Sequence, residues 1–475
     1  MSDCCKTENT SPDLLVIGAG SAGFSAAITA AEIGAQVVVI GEGTIGGTCV
    51  NVGCVPSKNL IRATENLHKA TTASRFAGIE ASSKLVDWRA LVQQKQELVD
   101  QLRKAKYEDL LPEYPLVSYV AGHAEFAGNG TEVTVGDVRY TPKKVIIATG
   151  SSSTLPPIDG IQSVEVLDST AALELDTLPQ SLLIIGAGVI GCELGSMFSR
   201  AGVAVTICCR SRLLPDTEPE VSKALADILR SEGVTIYDGM EYQKIENSAQ
   251  GIILTGENKQ GQVLIEADQL LTASGRRPNS NALKLDLVGI DQTARGGIVV
   301  NHFMQTTHPD IYAVGDVIGR DMFVYMAAYG AKLAARNAIN GNSHTYDNST
   351  MPAVVFTDPQ AASVGLSEAA AKDQGIEVKT SMITLDNVPR FIAARETAGL
   401  IKLVADTKTD KLLGASVLAP EAGDLIQTVV MALKGGLTTR ELGDTIFPYL
   451  TGVEGLKLAA QSFGKDVKKL SCCAG

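Results

Sequence analysis

Two cysteines separated by four residues, Cys49 and Cys54, are the strongest candidates for chemistry in this sequence. They stand in the stretch GGTCVNVGCVPSK, which ends at Lys58. A structural zinc ion would need a second pair of Cys or His ligands at short spacing, and none follows nearby. The proline after Cys54 instead indicates a helix that begins close to this thiol, and a helix N-terminus stabilises a thiolate. The spacing therefore predicts a redox-active pair that can close an intramolecular disulfide.

Other cysteines among the nine also occur as neighbours. Cys472-Cys473 stand near the end of the sequence, where adjacent thiols could bind a soft metal ion. Cys208-Cys209 follow an apolar run and predict a buried strand end, because free cysteine is often a small core residue. Cys4-Cys5 have two readings, a further thiol pair for metal or a tail without function.

Two glycine-rich turns indicate how the thiols of Cys49 and Cys54 are positioned. Each turn follows a run of apolar residues and precedes a helical pattern and a second apolar run. Glycines at this spacing permit the tight turn between strand and helix and let a pyrophosphate approach the helix N-terminus. The sequence therefore predicts two dinucleotide-binding units of the Rossmann type. Their glycines are Gly18, Gly20 and Gly23 in the first turn, and Gly186, Gly188 and Gly191 in the second.

The residues after each second strand suggest which nucleotide each unit binds. Glu42 follows the strand of the first unit, where a carboxylate can accept hydrogen bonds from an unphosphorylated ribose diol. This favours the adenosine half of FAD. The corresponding segment of the second unit carries Arg210 and Arg212 and no acid, and guanidinium groups suit a ribose 2′-phosphate. This favours NADPH over NADH.

The order of these patterns predicts an α/β fold with two Rossmann-like dinucleotide-binding domains and a C-terminal α+β domain. We expect residues 1–152 and 277–345 to form the FAD-binding domain and residues 153–276 the NADPH-binding domain. Alternating strands and two helices predict that residues 346–475 form the third domain, which includes the terminal Cys-Cys tail. Asp316 ends another apolar run, and its carboxylate could bind a ribityl hydroxyl of the flavin.

Charge and hydropathy exclude several kinds of partner. A formal net charge of -12 argues against nucleic acid and anionic membrane surfaces, both of which attract basic faces. No apolar run is long enough for a spanning helix, and the polar first residues lack the apolar segment of a signal peptide. We therefore expect a cytoplasmic protein, whose cysteines stay reduced rather than forming a structural disulfide framework.

The stretch around Cys49 and Cys54 resembles the active-site helix of the flavoprotein pyridine nucleotide-disulfide oxidoreductases, and the resemblance extends over nearly the whole chain. It implies that Cys54 is the flavin-facing charge-transfer thiolate and that Cys49 is the outer interchange thiol. It also implies an ion pair of Lys58 with Glu193 beside the flavin, and a homodimer whose active sites are shared between subunits. The other residues that it assigns to cofactor binding are Gly47, Thr48, Thr149, Gly150, Gly275 and Asp316.

The substrate expected from this resemblance depends on a departure from it. Disulfide-reducing members carry a histidine near the C-terminus as general acid, whereas this chain has Tyr449, a poor proton donor to thiolates at neutral pH. A soft metal ion needs thiolates rather than an acid, and Cys472 and Cys473 could deliver one. The combination resembles the Hg(II)-reducing branch of the family, which implies Hg(II) and its thiol complexes as substrates. Val166 stands where many of those enzymes have a tyrosine, so we expect Tyr449 to fill that role alone.

Two alternatives remain open at this point. The first is an NADPH-dependent reductase of a low-molecular-weight disulfide or of lipoamide, for which the Cys49/Cys54 pair alone would suffice. The second is metal sequestration by paired thiols without catalysis, which would leave the two nucleotide-binding units without a role.

Overall fold

The computed structural model describes residues 10–465. Its strands, in chain order, are β1 Leu14–Ile17, β2 Val37–Gly41, β3 Val117–Ala121, β4 Ala124–Phe126, β5 Val133–Val135, β6 Val138–Tyr140, β7 Lys144–Ile147, β8 Ser151–Ser153, β9 Ser181–Ile185, β10 Ala204–Cys208, β11 Thr235–Tyr237, β12 Glu241–Ser248, β13 Gly251–Asn258, β14 Gly261–Ala267, β15 Gln269–Thr272, β16 Arg276–Pro278, β17 Ile311–Ala313, β18 Pro352–Val355, β19 Gln360–Gly365, β20 Val378–Thr384, β21 Leu400–Asp406 and β22 Leu412–Ala419. Its α-helices are α1 Ser21–Glu32, α2 Gly47–Asn51, α3 Cys54–Thr71, α4 Trp88–Arg103, α5 Ser169–Leu173, α6 Val189–Arg200, α7 Pro219–Ser231, α8 Val324–Asn340, α9 Glu368–Asp373, α10 Pro389–Ala394, α11 Ala422–Gly435, α12 Thr439–Asp444 and α13 Glu454–Gln461.

These elements divide into two compact units. The first comprises the described residues up to Ser57 together with Gln93–Thr154 and Gly275–Asn348. The second comprises Lys58–Val92, Leu155–Ser274 and the described residues from Ser349 onward.

A parallel sheet in the order β17-β7-β1-β2-β3 forms the centre of the first unit. β1 lies between β7 and β2, and its four residues are almost fully buried, as the apolar composition of such strands requires. Helices α1 and α8 share the core of this sheet through alanines such as Ala26, Ala30, Ala331 and Ala334. Small side chains let the helices approach each other closely. The short turn after β1 places the N-terminus of α1 at the carboxyl end of this strand.

The second unit contains three sheets. A parallel sheet in the order β11-β10-β9-β15 repeats the arrangement of the first unit, and an antiparallel sheet β12-β13-β14 follows it in the chain. The C-terminal part is an antiparallel sheet in the order β18-β19-β22-β21-β20, covered by α11 and α13. The segment Lys58–Val92 belongs to this unit because Leu60 and Trp88 lie in the same core as Phe198, whose ring centroid is 6.2 Å from that of Trp88.

The predicted fold class is confirmed, with two parallel Rossmann-type sheets and a C-terminal α+β region. β1, α1 and β2 surround the first glycine turn, and β9, α6 and β10 surround the second, in the predicted order of strand, helix and strand. The domain boundaries at residues 152 and 276 remain a prediction. Among residues 10–465, no helix is both long and apolar enough to cross a membrane.

Candidate active site and nucleotide clefts

The two cysteines of the predicted redox pair lie at the start of consecutive helices. Cys49 is in α2, and Cys54 is the first residue of α3, as expected from the proline that follows it. Both side chains are partly exposed. The Asn51 side chain donates hydrogen bonds of 2.9 Å to the carbonyl oxygens of Ile45 and Gly47, which fixes the turn that leads into α2. A helix N-terminus at Cys54 favours its thiolate.

Tyr107 is a residue of this site that sequence reasoning missed. Its hydroxyl lies 3.1 Å from the Ser21 hydroxyl, and its ring packs edge-on against Phe24 at 4.9 Å between centroids. A Cβ atom added at Gly46 would lie 3.2 Å from the same ring, so Tyr107 packs against the residue that caps α2. Tyr107 therefore joins the start of the nucleotide-binding helix α1 to the start of the helix that carries Cys49.

Two tyrosines near the thiols remain protonated. Burial raises the pKa of Tyr107, the Ser21 hydrogen bond opposes this effect, and the negative charges of Cys49 and Cys54 raise the pKa further. Burial likewise raises the pKa of Tyr325, with a contribution from the charge of Cys54. No motif or periodicity marks either tyrosine in the sequence, because both reach the site through packing of distant segments.

Lys58 and Glu193 form the predicted ion pair within the second unit. The Lys58 Nζ atom lies 2.7 Å from a carboxylate oxygen of Glu193, whose side chain is 4% exposed. The other oxygen of Glu193 accepts a 2.8 Å hydrogen bond from the backbone N–H of Phe356, and the Lys58 ammonium lies 5.0 Å from the centre of the Phe356 ring. The buried carboxylate is thus satisfied on both oxygens.

A cleft of about 750 Å³ in the first unit lies at the carboxyl end of β1, a size typical of ligand sites. Gly18 has φ +120°, and a Cβ atom on Gly23 would lie 1.8 Å from the Gly18 carbonyl oxygen, so both positions require glycine for the turn itself. Gly20 differs, because its φ is -88° and an added Cβ would meet only the Gly47 Cα atom at 3.6 Å. A side chain at Gly20 would enter the cleft instead. The turn therefore fits a bound pyrophosphate, whose close approach Gly20 permits.

Most residues predicted to bind the first nucleotide line this cleft: Gly18, Gly20, Glu42, Gly47, Thr48, Thr149 and Gly150. Asp316 does not line it, and its carboxylate accepts a 2.7 Å hydrogen bond from the Ser151 hydroxyl. Arg276, which the sequence did not single out, donates to the Ser151 hydroxyl at 2.8 Å. Ser151 thus links the guanidinium group of Arg276 to the predicted flavin-binding carboxylate.

The second glycine turn has the same construction. Gly186 has φ +110°, and a Cβ atom on Gly191 would lie 2.0 Å from the Gly186 carbonyl oxygen. Gly188 has φ -76° and no atom within 4 Å of an added Cβ, so nothing within the described chain requires glycine there. A bound ligand that must approach the backbone closely would explain the glycine at residue 188, as it would at residue 20. Gly275 follows β15 with φ +122°.

The predicted phosphate-binding arginines differ in their surroundings. Arg210 is exposed. Arg212 donates from Nη2 to the carbonyl oxygens of Pro215 at 2.7 Å and Thr217 at 2.8 Å. Within residues 10–465, its Nη1 atom is buried without an acceptor. This donor of Arg212 is therefore unsatisfied within the described chain.

The remaining predicted residues are distributed as follows. Tyr449 lies in the second unit and is 56% exposed, and the nearby Glu454 carboxylate accepts a hydrogen bond from the Leu450 backbone N–H at 3.2 Å. Cys472, Cys473 and the Cys4-Cys5 pair lie outside the described residues. Across the described part of the chain, no group of three or more His, Cys, Asp or Glu side chains could hold a metal ion.

Three other cysteines belong to the core. Cys208 ends β10, and both it and Cys209 are buried, which confirms the structural reading of this pair. Burial raises the pKa of Cys208 to about 12 and that of Cys209 to about 11. Cys192 in α6 is fully buried, and burial raises its pKa as well. These thiols stay protonated in the folded protein.

Comparison with known proteins places this architecture in a family. Residues 12–333 match the pyridine nucleotide-disulphide oxidoreductase family, and residues 351–460 match the dimerisation domain of the same family. A mercuric reductase of Bacillus cereus is 46% identical over 98% of this chain and 73% of its own length. A mercuric reductase of Streptomyces lividans is 45% identical over 98% of this chain and 99% of its own length. The solved HOCl-induced flavoprotein disulfide reductase RclA from Escherichia coli is 31% identical, with a TM-score of 0.82 over 94% of this chain and 99% of its own. The chain therefore belongs to the pyridine nucleotide-disulphide oxidoreductase family.

Proposed function

We propose that this protein is a flavoprotein that uses NADPH to reduce Hg(II) to Hg(0), with Cys49 and Cys54 as the redox-active, metal-binding pair. The observation that carries the proposal is the pair itself, with Cys54 at the N-terminus of α3 and Cys49 in the preceding helix. The pair follows a glycine turn that fits a dinucleotide in the same unit. Relatives named mercuric reductase match almost the whole chain, which supports the mercuric ion as the substrate.

FAD and NADPH are the cofactors, and each glycine turn serves one of them. When bound, FAD would accept a hydride from NADPH and pass two electrons to the thiol site. Cys54 is proposed as the thiolate that faces the flavin, with Lys58 and Glu193 beside the ring. We assign FAD to Gly18, Gly20, Gly23, Glu42, Gly47, Thr48, Lys58, Thr149, Gly150 and Asp316, and NADPH to Gly186, Gly188, Gly191, Arg210, Arg212 and Gly275.

The side chains around the thiols suit a metal substrate. Thiolates are the ligands that soft cations prefer, and the helix N-terminus at Cys54 favours that form without a general base. Tyr107 and Tyr325 stay protonated, so neither adds a negative charge near the pair. Two electrons convert the bound Hg(II) to Hg(0), which leaves Cys49 and Cys54 as thiolates for the next ion.

A disulfide substrate is the alternative, and the solved disulfide reductase relative makes it worth testing. Cleavage of a disulfide releases a thiolate that must be protonated, and a histidine usually does this near neutral pH. The position that the resemblance assigns to that acid is Tyr449. A phenol of ordinary acidity is a poor acid for this step at neutral pH, so Tyr449 favours a metal ion over a disulfide.

The C-terminal region supports a homodimer. It matches a dimerisation domain and exposes large apolar side chains, and exposed apolar surface of this kind marks interaction sites. We propose active sites shared between subunits, in which Tyr449, Cys472 and Cys473 of one chain serve the Cys49/Cys54 pair of the other. A requirement for NADPH and for thiol-bound Hg(II) suits the cytoplasm. The most exposed of these apolar residues are Met382, Ile392, Met431, Ile446, Tyr449 and Leu450.

The test is NADPH oxidation by the FAD-loaded protein with mercuric chloride in excess thiol. We expect oxidation that depends on Hg(II), with release of volatile mercury, and little turnover with oxidised glutathione or lipoamide. Cys54→Ala should abolish the reaction while FAD stays bound. Flavin-loaded protein that oxidises NADPH with a disulfide but not with Hg(II) would establish the alternative.

A further inference from the structure

The end of β2 has no room for the acidic side chain that usually accepts hydrogen bonds from an adenosine ribose. Gly41 is the last residue of this strand. An added Cβ would lie 2.6 Å from the Ala19 Cβ atom and 2.8 Å from the Cε2 and hydroxyl atoms of Tyr119. Tyr119 lies in β3, which pairs with β2 in parallel register. Any side chain at residue 41 would therefore displace this tyrosine or the glycine turn.

The next residue, Glu42, brings its carboxylate to the cleft together with a histidine. Both Glu42 and His123 line the cleft of the first unit. The Nδ1 atom of His123 lies 2.8 Å from the Oε2 atom of Glu42. An ionised carboxylate has only acceptors, so Nδ1 is the donor. The contact with His123 uses Oε2, and the exposed Glu42 side chain leaves Oε1 open to a ligand.

We propose that Glu42 and His123 act together to recognise the ribose diol in the adenosine half of FAD. Glu42 accepts the hydrogen bond from the ribose, and His123 is a positioning residue that holds the carboxylate toward the cleft. This inference rests on the proposed assignment of FAD to the first unit. In place of a single carboxylate at the end of β2, the proposed ribose site uses Glu42, which follows β2, and His123, which lies between β3 and β4.

The exposure of Glu42 explains why a second residue is needed. Its side chain is 70% exposed and would sample several rotamers in water, at an entropic cost to any ligand that had to fix it. His123 reduces this cost because its own ring lies between two acids. Its Nε2 atom is 3.8 Å from Glu125, which in turn pairs with Lys284. The hydrogen bond that His123 donates to Glu42 raises the pKa of this histidine, in keeping with a charge-assisted contact.

The experiment compares two ligands that differ only in the proposed contact. Apo-protein is titrated with FAD and with an FAD analogue whose adenosine carries 2′-deoxyribose, and flavin fluorescence reports binding. We expect the unaltered protein to prefer FAD by about tenfold, the value of one charge-assisted hydrogen bond. In Glu42→Gln and His123→Phe the preference should fall to about threefold or less, and His123→Asn, whose amide can donate to Glu42, should recover part of it.

Glu132→Gln is the matched control, because it removes an exposed carboxylate of the same unit that pairs with Arg139 and does not line the cleft. Its preference for FAD should equal that of the unaltered protein. Exposed ion pairs contribute little to stability, so all four variants should keep the thermal unfolding midpoint of the parent. An unchanged preference in Glu42→Gln and His123→Phe, with FAD still tightly bound, overturns the inference alone. A parent protein that binds no flavin overturns the proposed function together with it.

Discussion

Glu193 holds Lys58 at 2.7 Å with one carboxylate oxygen and the backbone N–H of Phe356 at 2.8 Å with the other. Three separate segments, α3, α6 and the residue after β18, therefore converge on one buried acid. Because both carboxylate oxygens of Glu193 have partners, loss of this side chain would remove the negative charge beside Lys58. It would also remove the hydrogen bond that holds the Phe356 backbone.

Substitutions at Glu193 should separate these two effects. Glu193→Gln keeps an acceptor for the Phe356 N–H and should cost about 1 kcal/mol of unfolding free energy. Glu193→Ala leaves both donors unsatisfied and should cost about 3 kcal/mol. Urea unfolding of the two variants measures the difference. Equal losses would show that the hydrogen bond to Phe356 adds nothing to the structure.

Tyr107 should matter through its ring more than through its hydroxyl. Tyr107→Phe keeps the packing on Gly46 and should lose at most about 1 kcal/mol of stability. Tyr107→Ala opens space beside the start of α2 and should cost about 2 kcal/mol or more. It should also speed the alkylation of Cys49 by iodoacetamide, measured in a Cys54→Ser background. If both variants react at the parental rate, Tyr107 does not hold the redox helix in place.

The glycines of the first turn should divide into two classes. Gly23→Ala forces a Cβ to 1.8 Å from a carbonyl oxygen and should destabilise the protein by about 2 kcal/mol. Gly20→Ala meets only ordinary contacts within the protein and should leave stability almost unchanged. It should still weaken FAD binding by about tenfold, or about 1.4 kcal/mol, because its methyl group faces the cleft. Thermal unfolding of the apo-proteins and FAD titration distinguish the classes.

The glycine turns, the helix start at Cys54 and the buried Cys208 could be predicted because each depends on residues adjacent in the chain. Tyr107 could not, since its position depends on packing against Gly46 and Phe24 from a remote segment. The same holds for Tyr119, whose ring explains why glycine ends β2 and why the acid comes one residue later. The predicted partners of Tyr449 require a second subunit, and that part of the site stays a prediction.

The stability that the ion pairs of Lys402 give to the second unit should depend on pH. Its ammonium group, 4% exposed, lies within 3.0 Å of carboxylate oxygens of Glu218, Glu220 and Glu368. Hydrogen bonds from Lys372 and then Lys402 lower the pKa of Glu368 to about 2. In the unfolded chain the pKa of a glutamate is about 4.3. The contribution of Glu368 to folding stability is therefore complete above that pH and is lost as the pH falls through about 2.

Lys402→Met should therefore cost about 3 kcal/mol at neutral pH. The deficit should shrink as the pH falls below about 4.3, because protonated carboxylates need no cation. Lys372→Met removes a partner whose side chain is 59% exposed and should cost less than about 1 kcal/mol. Urea unfolding between neutral pH and pH about 3.5, below the unfolded Glu value, checks both. A deficit in Lys402→Met that does not change with pH would contradict this account.

The terminal thiols should matter for delivery rather than for electron transfer. A Cys472→Ala, Cys473→Ala double variant should reduce kcat/KM for thiol-bound Hg(II) by about tenfold or more, since tethered thiols raise the local ligand concentration. NADPH oxidation with ferricyanide, which needs no metal transfer, should stay at the parental rate. Parental kinetics on thiol-bound Hg(II) would remove the tail from the mechanism.

The buried thiols of Cys192, Cys208 and Cys209 have a consequence for survival in the presence of the proposed substrate. Folded, they are withheld from Hg(II) by packing and by their raised pKa values. Once the chain opens, each becomes a trap for mercury, and a captured ion prevents the strand and helix from returning to the core. Unfolding in mercury would then be irreversible, so the working life of the enzyme would depend on how slowly it opens rather than on its equilibrium stability.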